Sequence, residues 1–453
     1  MWPMIPSLEA VVQVLAPAFS QPSFHTHCQL LLGWVLCLGR HRLCRVADSA
    51  QPQTLRDHAQ RHGLDTTYNF FERSGWKPGT LAYRVLLLIL RSLKLCGALT
   101  LLVDDTLAHK RGRHVWGLGW FRDAVASTRK RTCTASGHNW VVVALAVCLP
   151  FTDAPILALP LLARLHRAGA GQRSCPQLAR ELLADVLTWL PDWRFTLVGD
   201  GAYACKALLG ALDTRVTFVG RLRGDAALYD PHVPAAAPHR RGPKARKGPR
   251  LPSPKAAVTK ADRQRCVTGP WRWQEVVVTA YGRSRALQVL AYTALWPRVL
   301  GLRLVRIVVV RDPEGRLEDG YLFTTDVVAG PEWVVHQFAW RWSIEVLFRA
   351  SKQVLDLEGP QHYSRAAVEK VAPWVWSLQS VIMVWYITAG RHLAEAEELR
   401  GVMGEWDSEW SLRHMVAVLR RATLNALIEP KSSEPTELLK LIEALKNCVN
   451  LAV

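Results

Sequence analysis

The sequence is short of acidic residues and has no cysteine pair spaced for a metal or redox site. Only 38 Asp and Glu stand against 57 Lys and Arg, which gives a formal net charge of +19 at pH 7. This excess favours a polyanionic partner, and nucleic acid before a membrane, because the cations are spread along the chain. The 10 cysteines include no Cys-x2-Cys pair. That absence argues against zinc-finger and dithiol redox proteins and predicts free thiols in a reducing compartment.

Three further absences narrow the class of protein. No Gly-Lys-Ser/Thr phosphate-binding loop is present, so nothing in the sequence indicates an NTPase. The first residues, MWPMIPSLEAVVQ, lack the basic start of a signal peptide, which predicts a cytosolic protein. Residues 371–390 are uncharged and long enough to span a membrane, but Pro373, Ser377 and Gln379 interrupt them. We therefore expect a helix buried in a large core and no membrane partner.

The 453 residues are too many for one simple core and change in pattern along the chain. Helix-like apolar spacing fills the N-terminal part and includes a weak helix-turn-helix pattern between residues 54 and 95. Apolar strand-like runs follow, with helices between them and acids at their ends, as in an α/β sheet. The predicted divisions are a helical N-terminal region that could bind DNA (1–96), the first part of an α/β core (97–228), a basic linker with a β-rich insertion (229–330), the second part of the core (331–390) and a helical C-terminal region (391–453).

A strongly basic segment opens the insertion. Between Arg240 and Arg265 the chain has ten Lys and Arg, one acid (Asp262) and four prolines. This composition predicts an extended, mobile segment, either a solvated linker or a contact to the DNA backbone. The cations we expect to contact phosphates are Arg240, Arg241, Lys244, Arg246 and Lys247.

Residues 337–354, QFAWRWSIEVLFRASKQV, are predicted to form one helix with a polar side. At about 100° per residue, Phe338, Arg341, Glu345 and Lys352 fall within an arc of roughly 60°. The opposite side of this helix carries the apolar residues Trp340, Ile344 and Leu347. An ordinary surface helix with ion pairs along its polar side is the alternative interpretation.

Two aspartate positions in strand-end contexts can be combined with that glutamate. Asp104 and Asp105 follow the apolar run 98–103, and Asp200 follows the run 194–198. Two aspartates and a glutamate are what a two-metal phosphoryl-transfer site needs, because Mg²⁺ prefers carboxylate oxygens. Bound cations also relieve the repulsion between clustered carboxylates.

These residues resemble the motifs of the DDE transposases of bacterial insertion sequences. The resemblance rests on Asp105-Thr106, on Gly199-Asp200-Gly201-Ala202-Tyr203, and on Phe338-x2-Arg341-x3-Glu345-x6-Lys352. The last motif matches the subgroup with the signature Tyr-x2-Arg-x3-Glu-x6-Lys, with Phe338 in place of tyrosine. The resemblance extends over about residues 97–360. It implies an α/β fold with an RNase H-like catalytic core, an inserted antiparallel β-rich subdomain, and helical N- and C-terminal regions.

The resemblance also implies roles for these residues. Asp105, Asp200 and Glu345 would be catalytic and would hold Mg²⁺, with Mn²⁺ as a substitute. Asp104 is the alternative to Asp105, and the family pattern of aspartate followed by threonine favours Asp105. Cleavage and strand transfer would act on double-stranded DNA, at the transposon ends and at a target. We expect a homodimer in the synaptic complex, located in the bacterial cytoplasm on the nucleoid.

Arg341 and Lys352 would hold DNA phosphates beside the cut. Phe338 cannot donate the hydrogen bond that a tyrosine would give to a phosphate, but it can still pack or stack on a base. Rival third carboxylates are Asp326, Asp356 and Glu358. Tryptophans near the basic loops, such as Trp116 and Trp120, could insert against unstacked bases. Two rival functions stay open: a DNA-binding protein derived from a transposase, and a structure-specific nuclease without joining activity.

Overall fold

A ten-stranded sheet organises the described part of the protein. The structure is a computed structural model and describes residues 4–50, 65–128, 130–149, 156–233, 246–263, 272–280, 283–396 and 410–428. Helices from both ends of the chain pack against this sheet and share one hydrophobic core with it. The α/β class predicted from alternating strand-like and helix-like runs is therefore confirmed.

Helices precede the sheet, as the sequence predicts for residues 1–96. Those described are α1 (Pro6–Gln13), α2 (Gln21–Leu36), α3 (Leu43–Ser49), α4 (65–72) and α5 (Pro78–Ser92). Helical spacing of apolar residues is clearest on α5, where Leu81, Val85 and Leu88 are buried. The predicted helix at 54–62 lies outside the described residues. DNA contact by this region stays a prediction.

The middle of the sheet is built by the next six strands. These are β1 (Ala98–His109), β2 (Gly119–Arg122), β3 (Thr134–Val147), β4 (Leu157–His166), β5 (Arg194–Gly199) and β6 (Val216–Arg221), with α6 (Cys175–Trp189) before β5 and α7 (Lys206–Leu209) after it. β1 pairs antiparallel with β3 and parallel with β5. Leu101, Leu102 and Val103 are completely buried, as expected for a strand that is covered on both faces. β5 ends at Gly199, opposite Val103, whereas β1 continues to His109. The prediction that Asp104 and Asp105 follow the end of a strand is therefore wrong: both lie inside β1, where its pairing with β5 stops.

Four antiparallel strands extend this sheet beyond β6. They are β7 (Gln274–Ala280), β8 (Arg283–Leu295), β9 (Leu304–Arg311) and β10 (Gly320–Thr324), with α8 (Pro254–Arg263) before β7 and α9 (Pro297–Leu300) between β8 and β9. The strand order is β2-β3-β1-β5-β6-β10-β9-β8-β7, and β4 also pairs with β3. The alternating runs are strands, as predicted, and the pairing of β10 with β6 makes them part of the central sheet.

The basic segment is more ordered than its composition predicts. Asp230 exchanges backbone hydrogen bonds with Gly248 and Pro249, both at 2.9 Å, which ties the described start of the segment to the chain before it. Helix α8 follows and buries Ala257 and Val258. The prediction of an extended segment is therefore wrong for residues 254–263, which form α8. Prolines and cations dominate the composition, but small apolar residues at helical spacing are enough to attach α8 to the core.

The segment predicted as one helix over 337–354 is two helices. α10 (Pro331–Trp340) ends and α11 (Trp342–Gln353) begins on either side of Arg341. Arg341 N donates to Phe338 O at 3.1 Å, and Ile344 N donates to Arg341 O at 3.1 Å, so the junction is a tight i→i+3 turn. Because of this junction, Phe338 is not on the same helix as Glu345. The predicted core side is confirmed for Ile344 and Leu347, which are buried.

The apolar run near the C-terminus is a buried helix. α12 (Arg365–Trp385) continues through a short π-helix (Tyr386–Gly390) into α13 (Arg391–Ala396). α14 (Leu412–Ile428) packs against α12. The stretch Arg365–Ala394 is long and apolar enough to cross a membrane, but 94% of its most apolar window is buried inside the protein. Inside the core, Gln379 accepts a hydrogen bond from Ser351, and Ser380 donates to Pro160 O. The predicted helix after residue 435 lies outside the described residues.

Candidate active site

The two adjacent aspartates of β1 belong to different faces of the sheet. Asp104 lies opposite Val142 of β3, and Asp105 lies opposite Val141. Since successive side chains of a strand point to opposite faces, the two carboxylates enter different surroundings. The two aspartates are adjacent in the sequence, but their side chains lie on opposite faces of β1.

Asp104 is joined to α11 through Arg341. The guanidinium donates from Nη1 to Asp104 Oδ2 at 2.9 Å and from Nη2 to Glu345 Oε1 at 2.5 Å. The side chains of Asp104 and Arg341 are only 17% and 19% exposed, so these charge-assisted bonds lie largely away from water. Burial lowers the pKa of Arg341, but the two carboxylates more than offset this and raise it above its usual value. The result is one cation between two acids from distant parts of the chain.

Asp200 completes the acidic group at the edge of the sheet. Val103 of β1 is in register with Gly199 of β5, so the residues that follow them, Asp104 and Asp200, are neighbours. Burial, and next the negative charge of Asp200, raise the pKa of Asp104 to about 7, although Arg341 acts in the opposite direction. Asp200 Oδ1 also accepts from Ala202 N at 2.8 Å, which fixes its own turn. The structure thus brings together Asp104, Asp200 and Glu345.

Asp105, which the family pattern favours as the first ligand, lies in a separate polar cluster. Its Oδ1 accepts from the Tyr203 hydroxyl and its Oδ2 from Asn139 Nδ2, both at 3.0 Å. Tyr203 is completely buried and ends the loop that carries Asp200. Asp105 therefore connects β1 and β3 to this loop. Neither Asn139 nor Tyr203 was predicted from the sequence to have a role, although Tyr203 belongs to the Gly199–Tyr203 motif, which was the available signal.

Lys352 also connects α11 to β1. Its Nζ donates to Leu107 O at 2.6 Å and lies 4.0 Å from a carboxylate oxygen of Glu358. Burial lowers the pKa of Lys352, and Glu358 acts in the opposite direction. Phe338 is half-buried at the end of α10, and its ring centroid is 5.8 Å from Arg341 Cζ. All four positions of the last motif therefore border the acidic group or the strand that carries it.

The rival carboxylates are engaged elsewhere. Asp326 accepts from Val328 N at 3.1 Å inside a turn, as expected for a loop aspartate. Asp356 accepts from His41 N at 2.7 Å, and Glu358 accepts from His109 Nδ1 or binds it as an ion pair at 3.1 Å. Each of these carboxylates forms a local hydrogen bond that explains its presence. The hydrogen bonds of Arg341 go to Asp104 and Glu345 and to none of these three acids.

The carboxylates of Asp104, Asp200 and Glu345 are suitable ligands for a divalent cation. In the structure, the positive charge beside Asp104 and Glu345 is the guanidinium of Arg341. Asp104 is desolvated and repelled by Asp200, and such a pair is relieved by a bound cation. Hard carboxylate oxygens are the ligands that Mg²⁺ prefers. In the described part of the chain, however, no three His, Cys, Asp or Glu side chains converge closely enough to hold a metal ion. Glu345 would have to exchange its bond with Arg341 for a metal bond.

Of the basic segment, the structure describes residues 246–263. Arg246 and Lys247 are exposed, and Lys247 Nζ lies 3.5 Å from the centroid of the Tyr229 ring. This cation–π contact holds the lysine stem against the protein surface. Arg240, Arg241 and Lys244 lie outside the described residues, so their contact with DNA stays a prediction.

Comparison with known proteins places this chain in a family. The model of a family described as DDE superfamily endonuclease matches residues 14–285, which include Asp104, Asp105 and Asp200 and stop before Arg341 and Glu345. No protein in the curated set matches the chain. Among solved structures, a match is the piggyBac transposase in a synaptic complex with hairpin DNA, determined by cryo-EM. That match has 10% sequence identity and a TM-score of 0.39, and covers 98% of this chain and 81% of the other.

Proposed function

Because this chain belongs to the DDE superfamily of endonucleases, we propose that it is a DNA transposase that uses Asp104, Asp200 and Glu345 to cut and join DNA strands. The observation that carries the proposal is the bridge from Asp104 through Arg341 to Glu345, beside Asp200. Carboxylates from the middle of β1, from the residue after β5 and from α11 lie around the guanidinium of Arg341. This arrangement supports the RNase H-like core that the sequence resemblance implies.

Mg²⁺ is the proposed cofactor, with Mn²⁺ as a substitute. Asp104, Asp200 and Glu345 would hold it, since all three offer hard oxygen ligands at one edge of the sheet. When bound, the metal would supply activation of the attacking oxygen and stabilisation of the leaving oxygen in phosphoryl transfer. The protein's own contribution is to hold the carboxylates on three rigid elements and to fix the Asp200 loop through Tyr203 and Asp105.

Arg341 and Lys352 are proposed to hold DNA phosphates. In the structure both cations bind β1, Arg341 through the carboxylate of Asp104 and Lys352 through Leu107 O. Arg341 has a planar guanidinium that suits bidentate contact with a phosphate as well as with a carboxylate. When a phosphate binds, Arg341 can transfer its hydrogen bonds to the phosphate and release Glu345. Binding of DNA and binding of the metal would then favour each other.

The test is a cleavage and strand-transfer assay with the full chain, oligonucleotide duplexes carrying the flanking ends of its coding sequence, and Mg²⁺. We expect cleaved and joined products that disappear with EDTA and in the Glu345→Gln variant. Asp326→Asn is the matched control, because it neutralises an acid that only closes a turn. Normal activity of Glu345→Gln would remove Glu345 from the site.

The same assay distinguishes the two rival functions. Cleavage without joined products would identify a nuclease, and binding without cleavage in either Mg²⁺ or Mn²⁺ would identify a DNA-binding protein. Sedimentation of the complex with paired ends would check the proposed homodimer. The proposed location, the bacterial cytoplasm on the nucleoid, rests on the sequence resemblance to transposases of bacterial insertion sequences.

A further inference from the structure

The carboxylate of Glu358 lies beside Lys352, the last residue of the motif that contains Glu345. Glu358 Oε1 is 4.0 Å from Lys352 Nζ, and the side chains of the lysine and the glutamate are only 23% and 28% exposed. Two opposite charges at this depth are screened less by water than an ion pair on the surface. Lys352 Nζ also donates to Leu107 O at 2.6 Å. The amine therefore lies between strand β1 and the carboxylate of the turn that follows α11.

Glu358 is held in this place by His109, the last residue of β1. Its Oε1 accepts from His109 N at 2.8 Å and lies 3.1 Å from His109 Nδ1. The other ring nitrogen of His109, Nε2, is 2.8 Å from Asp123 Oδ2. Asp123 is in turn fixed by its own loop, since its Oδ1 accepts from Val125 N and Ala126 N. The imidazole is therefore held on both sides and keeps Glu358 in one orientation.

Lys110, the next residue in the chain, fixes the turn that carries Glu358. Its Nζ donates to Glu358 O at 2.7 Å and to Pro360 O at 2.6 Å. Within the turn, Gly359 N donates to Asp356 O at 2.7 Å. The turn cannot move away from β1 without breaking these hydrogen bonds. The position of Glu358 beside Lys352 is thus set by the fold, unlike that of a long side chain on the surface.

The charges around Lys352 affect whether its amine keeps a proton. Burial lowers the pKa of Lys352, whereas Glu358 and then Asp123 act to raise it. Burial also raises the pKa of Asp123, but hydrogen bonds from its own loop and from His109 more than offset this and lower it. The other titratable groups of this cluster are His109, between the two carboxylates, and Lys110, on the carbonyls of the turn. A lysine binds a phosphate through its charge, so these carboxylates favour phosphate binding.

We propose that Glu358 is a positioning residue of the active site: held by His109, it keeps the charged amine of Lys352 at β1, where the amine binds a DNA phosphate beside the cut. The inference rests on the proposed function, because it takes Lys352 as a phosphate ligand. Glu358 does not occupy the amine, since 4.0 Å is too long for a hydrogen bond. The bond to Leu107 O uses one of the three donors of the amine, which leaves donors for a phosphate.

Glu358→Gln tests this role, because it removes the charge and keeps the shape. The contacts of Glu358 with His109 use Oε1, and the oxygen of a glutamine can accept in the same place. The first measurement is the rate at which Lys352 reacts with acetic anhydride as a function of pH, in DNA-free full-length protein with EDTA, followed by mass spectrometry. Only the unprotonated amine reacts, so the midpoint of the rate profile should move to lower pH in the variant. Lys370, whose pKa is lowered by burial, is the internal reference and should not change.

The second measurement is the cleavage rate of Glu358→Gln relative to the wild-type chain in Mg²⁺. This ratio should fall by about 2- to 5-fold between pH 7 and pH 9.5, because the amine of the variant loses its proton at lower pH. In a Lys352→Arg background the ratio should not change with pH, since a guanidinium stays charged. Glu314→Gln is the matched control, because it removes an exposed acid that pairs with Arg316 elsewhere in the fold.

Variants of His109 test the support of Glu358 without changing the carboxylate itself. His109→Ala removes both ring contacts and should show the same fall in relative cleavage at high pH. His109→Asn should restore most of it, since the amide nitrogen can donate to Glu358 in place of Nδ1. These two variants also give the comparison if Glu358→Gln does not fold.

The outcomes separate this role from the proposed function. An unchanged reaction profile of Lys352 in Glu358→Gln overturns the role and leaves the proposed function standing. A shifted profile with a cleavage ratio that does not depend on pH does the same. A fall of the ratio in the Lys352→Arg background as well would mean that Glu358 acts on another group, which also overturns the role. A wild-type chain that binds and cleaves no DNA overturns the proposed function, and this role with it.

Discussion

Arg341 binds Asp104 at 2.9 Å although 237 positions separate the two residues in the sequence. The same guanidinium binds Glu345, so one cation balances two carboxylates that the fold brings to one place. Removing one partner of a buried ion pair leaves an uncompensated charge, which is more costly than replacing both. In the absence of metal, Arg341 is therefore a structural cation of the site as well as a candidate phosphate ligand.

The first prediction concerns this structural role. Arg341→Ala should lower the free energy of unfolding of the metal-free protein by about 3 kcal/mol, because Asp104 is left buried without its cation. Mg²⁺ should restore part of the loss, since a ligand that binds only the folded state stabilises it. Thermal unfolding with EDTA and with Mg²⁺ measures both effects.

Two variants control this measurement. Arg349→Ala removes an exposed arginine from α11, the helix that follows Arg341, and should change stability little. The double variant with Arg341→Ala and Asp104→Asn should recover most of the lost stability, because a neutral amide needs no cation. A double variant as unstable as Arg341→Ala alone would show that the bridge to Asp104 is not what the arginine stabilises.

The second prediction separates the adjacent aspartates. Asp104→Asn should reduce DNA cleavage to background, whereas Asp105→Asn should reduce it about 10- to 100-fold, as expected for a residue that only positions a site loop. Tyr203→Phe should have a similar effect, because it removes the 3.0 Å hydrogen bond to Asp105, while Asp105→Asn leaves one acceptor oxygen for the two donors Tyr203 and Asn139. Cleavage rates in Mg²⁺ and Mn²⁺ provide the comparison.

A thiolate variant tests metal contact directly. Asp104→Cys replaces a hard oxygen by a softer sulfur and should recover cleavage in Mn²⁺ but not in Mg²⁺. The same change at Asp105 should show no metal-dependent recovery. Recovery at Asp105 and not at Asp104 would return the metal ligand to the residue that the family pattern favours.

The sequence predicts the elements well and the contacts between them less well. The acid after β5 and the core residues Ile344 and Leu347 follow from apolar runs and spacing, whereas β1 continues past Asp104 and Asp105 to His109. Which of Asp104 and Asp105 meets Arg341 depends on the face of the strand that α11 covers, and that is a tertiary contact. The spacing of residues within the sequence motifs does not reveal which aspartate contacts Arg341.

Two local backbone features also could not be predicted from the sequence: the junction between α10 and α11, and helix α8. The turn at Arg341 keeps right-handed helical dihedrals and changes only the hydrogen-bond pattern, so periodicity continues across it. In the basic segment, the many prolines and cations predicted an extended chain. The short apolar pattern of Ala257, Val258 and Ala261, which are buried in α8, predicted a helix less strongly. Both errors arise because a few tertiary contacts override local preference.

The third prediction concerns the described cations of the basic segment. If Arg246 and Lys247 each neutralise one phosphate, changing both to Gln should lower the magnitude of the log–log salt slope of DNA binding by about 2 units. Folding should be unaffected, because both residues are exposed. Binding isotherms over a range of salt concentrations give the slope. The matched control is Arg223→Gln, an exposed arginine paired with Asp225, and an unchanged slope in the double variant would make the segment structural only.

The fourth prediction is a loss of stability in acid. Burial lowers the pKa of His27 to about 3 and that of His362 to about 4. The unfolded chain binds these protons below pH 6.5 and the folded chain does not, so stability is lost as the pH falls from 6.5 towards the folded values. Between pH 7 and pH 5 each histidine should cost about 2 kcal/mol. Urea unfolding at the two pH values measures the loss.

Variants of single histidines identify the source of that loss. His27 Nδ1 accepts from Trp374 Nε1 at 2.9 Å, and a glutamine at position 27 can accept this bond without titrating. His27→Gln should therefore be less stable at pH 7 but should lose less stability on acidification. His232→Gln, at a side chain that is 93% exposed, should keep the wild-type pH dependence. The same steep acid loss in His27→Gln would assign the effect to other groups.

The last prediction concerns the position where the sequence departs from the family signature. Phe338 is half-buried, with its ring beside Arg341, so a hydroxyl added at its tip can reach a phosphate that Arg341 holds. Phe338→Tyr should raise the cleavage rate several-fold at constant melting temperature, because a hydrogen bond to a charged group is worth at most about 1.5–3 kcal/mol. Phe348→Tyr is the control: that ring is buried on α11, where a hydroxyl without a partner should lower the melting temperature and give no gain in rate. A fall in both quantities for Phe338→Tyr would show that the ring packs into an apolar site, and that the tyrosine contact of the family has no counterpart here.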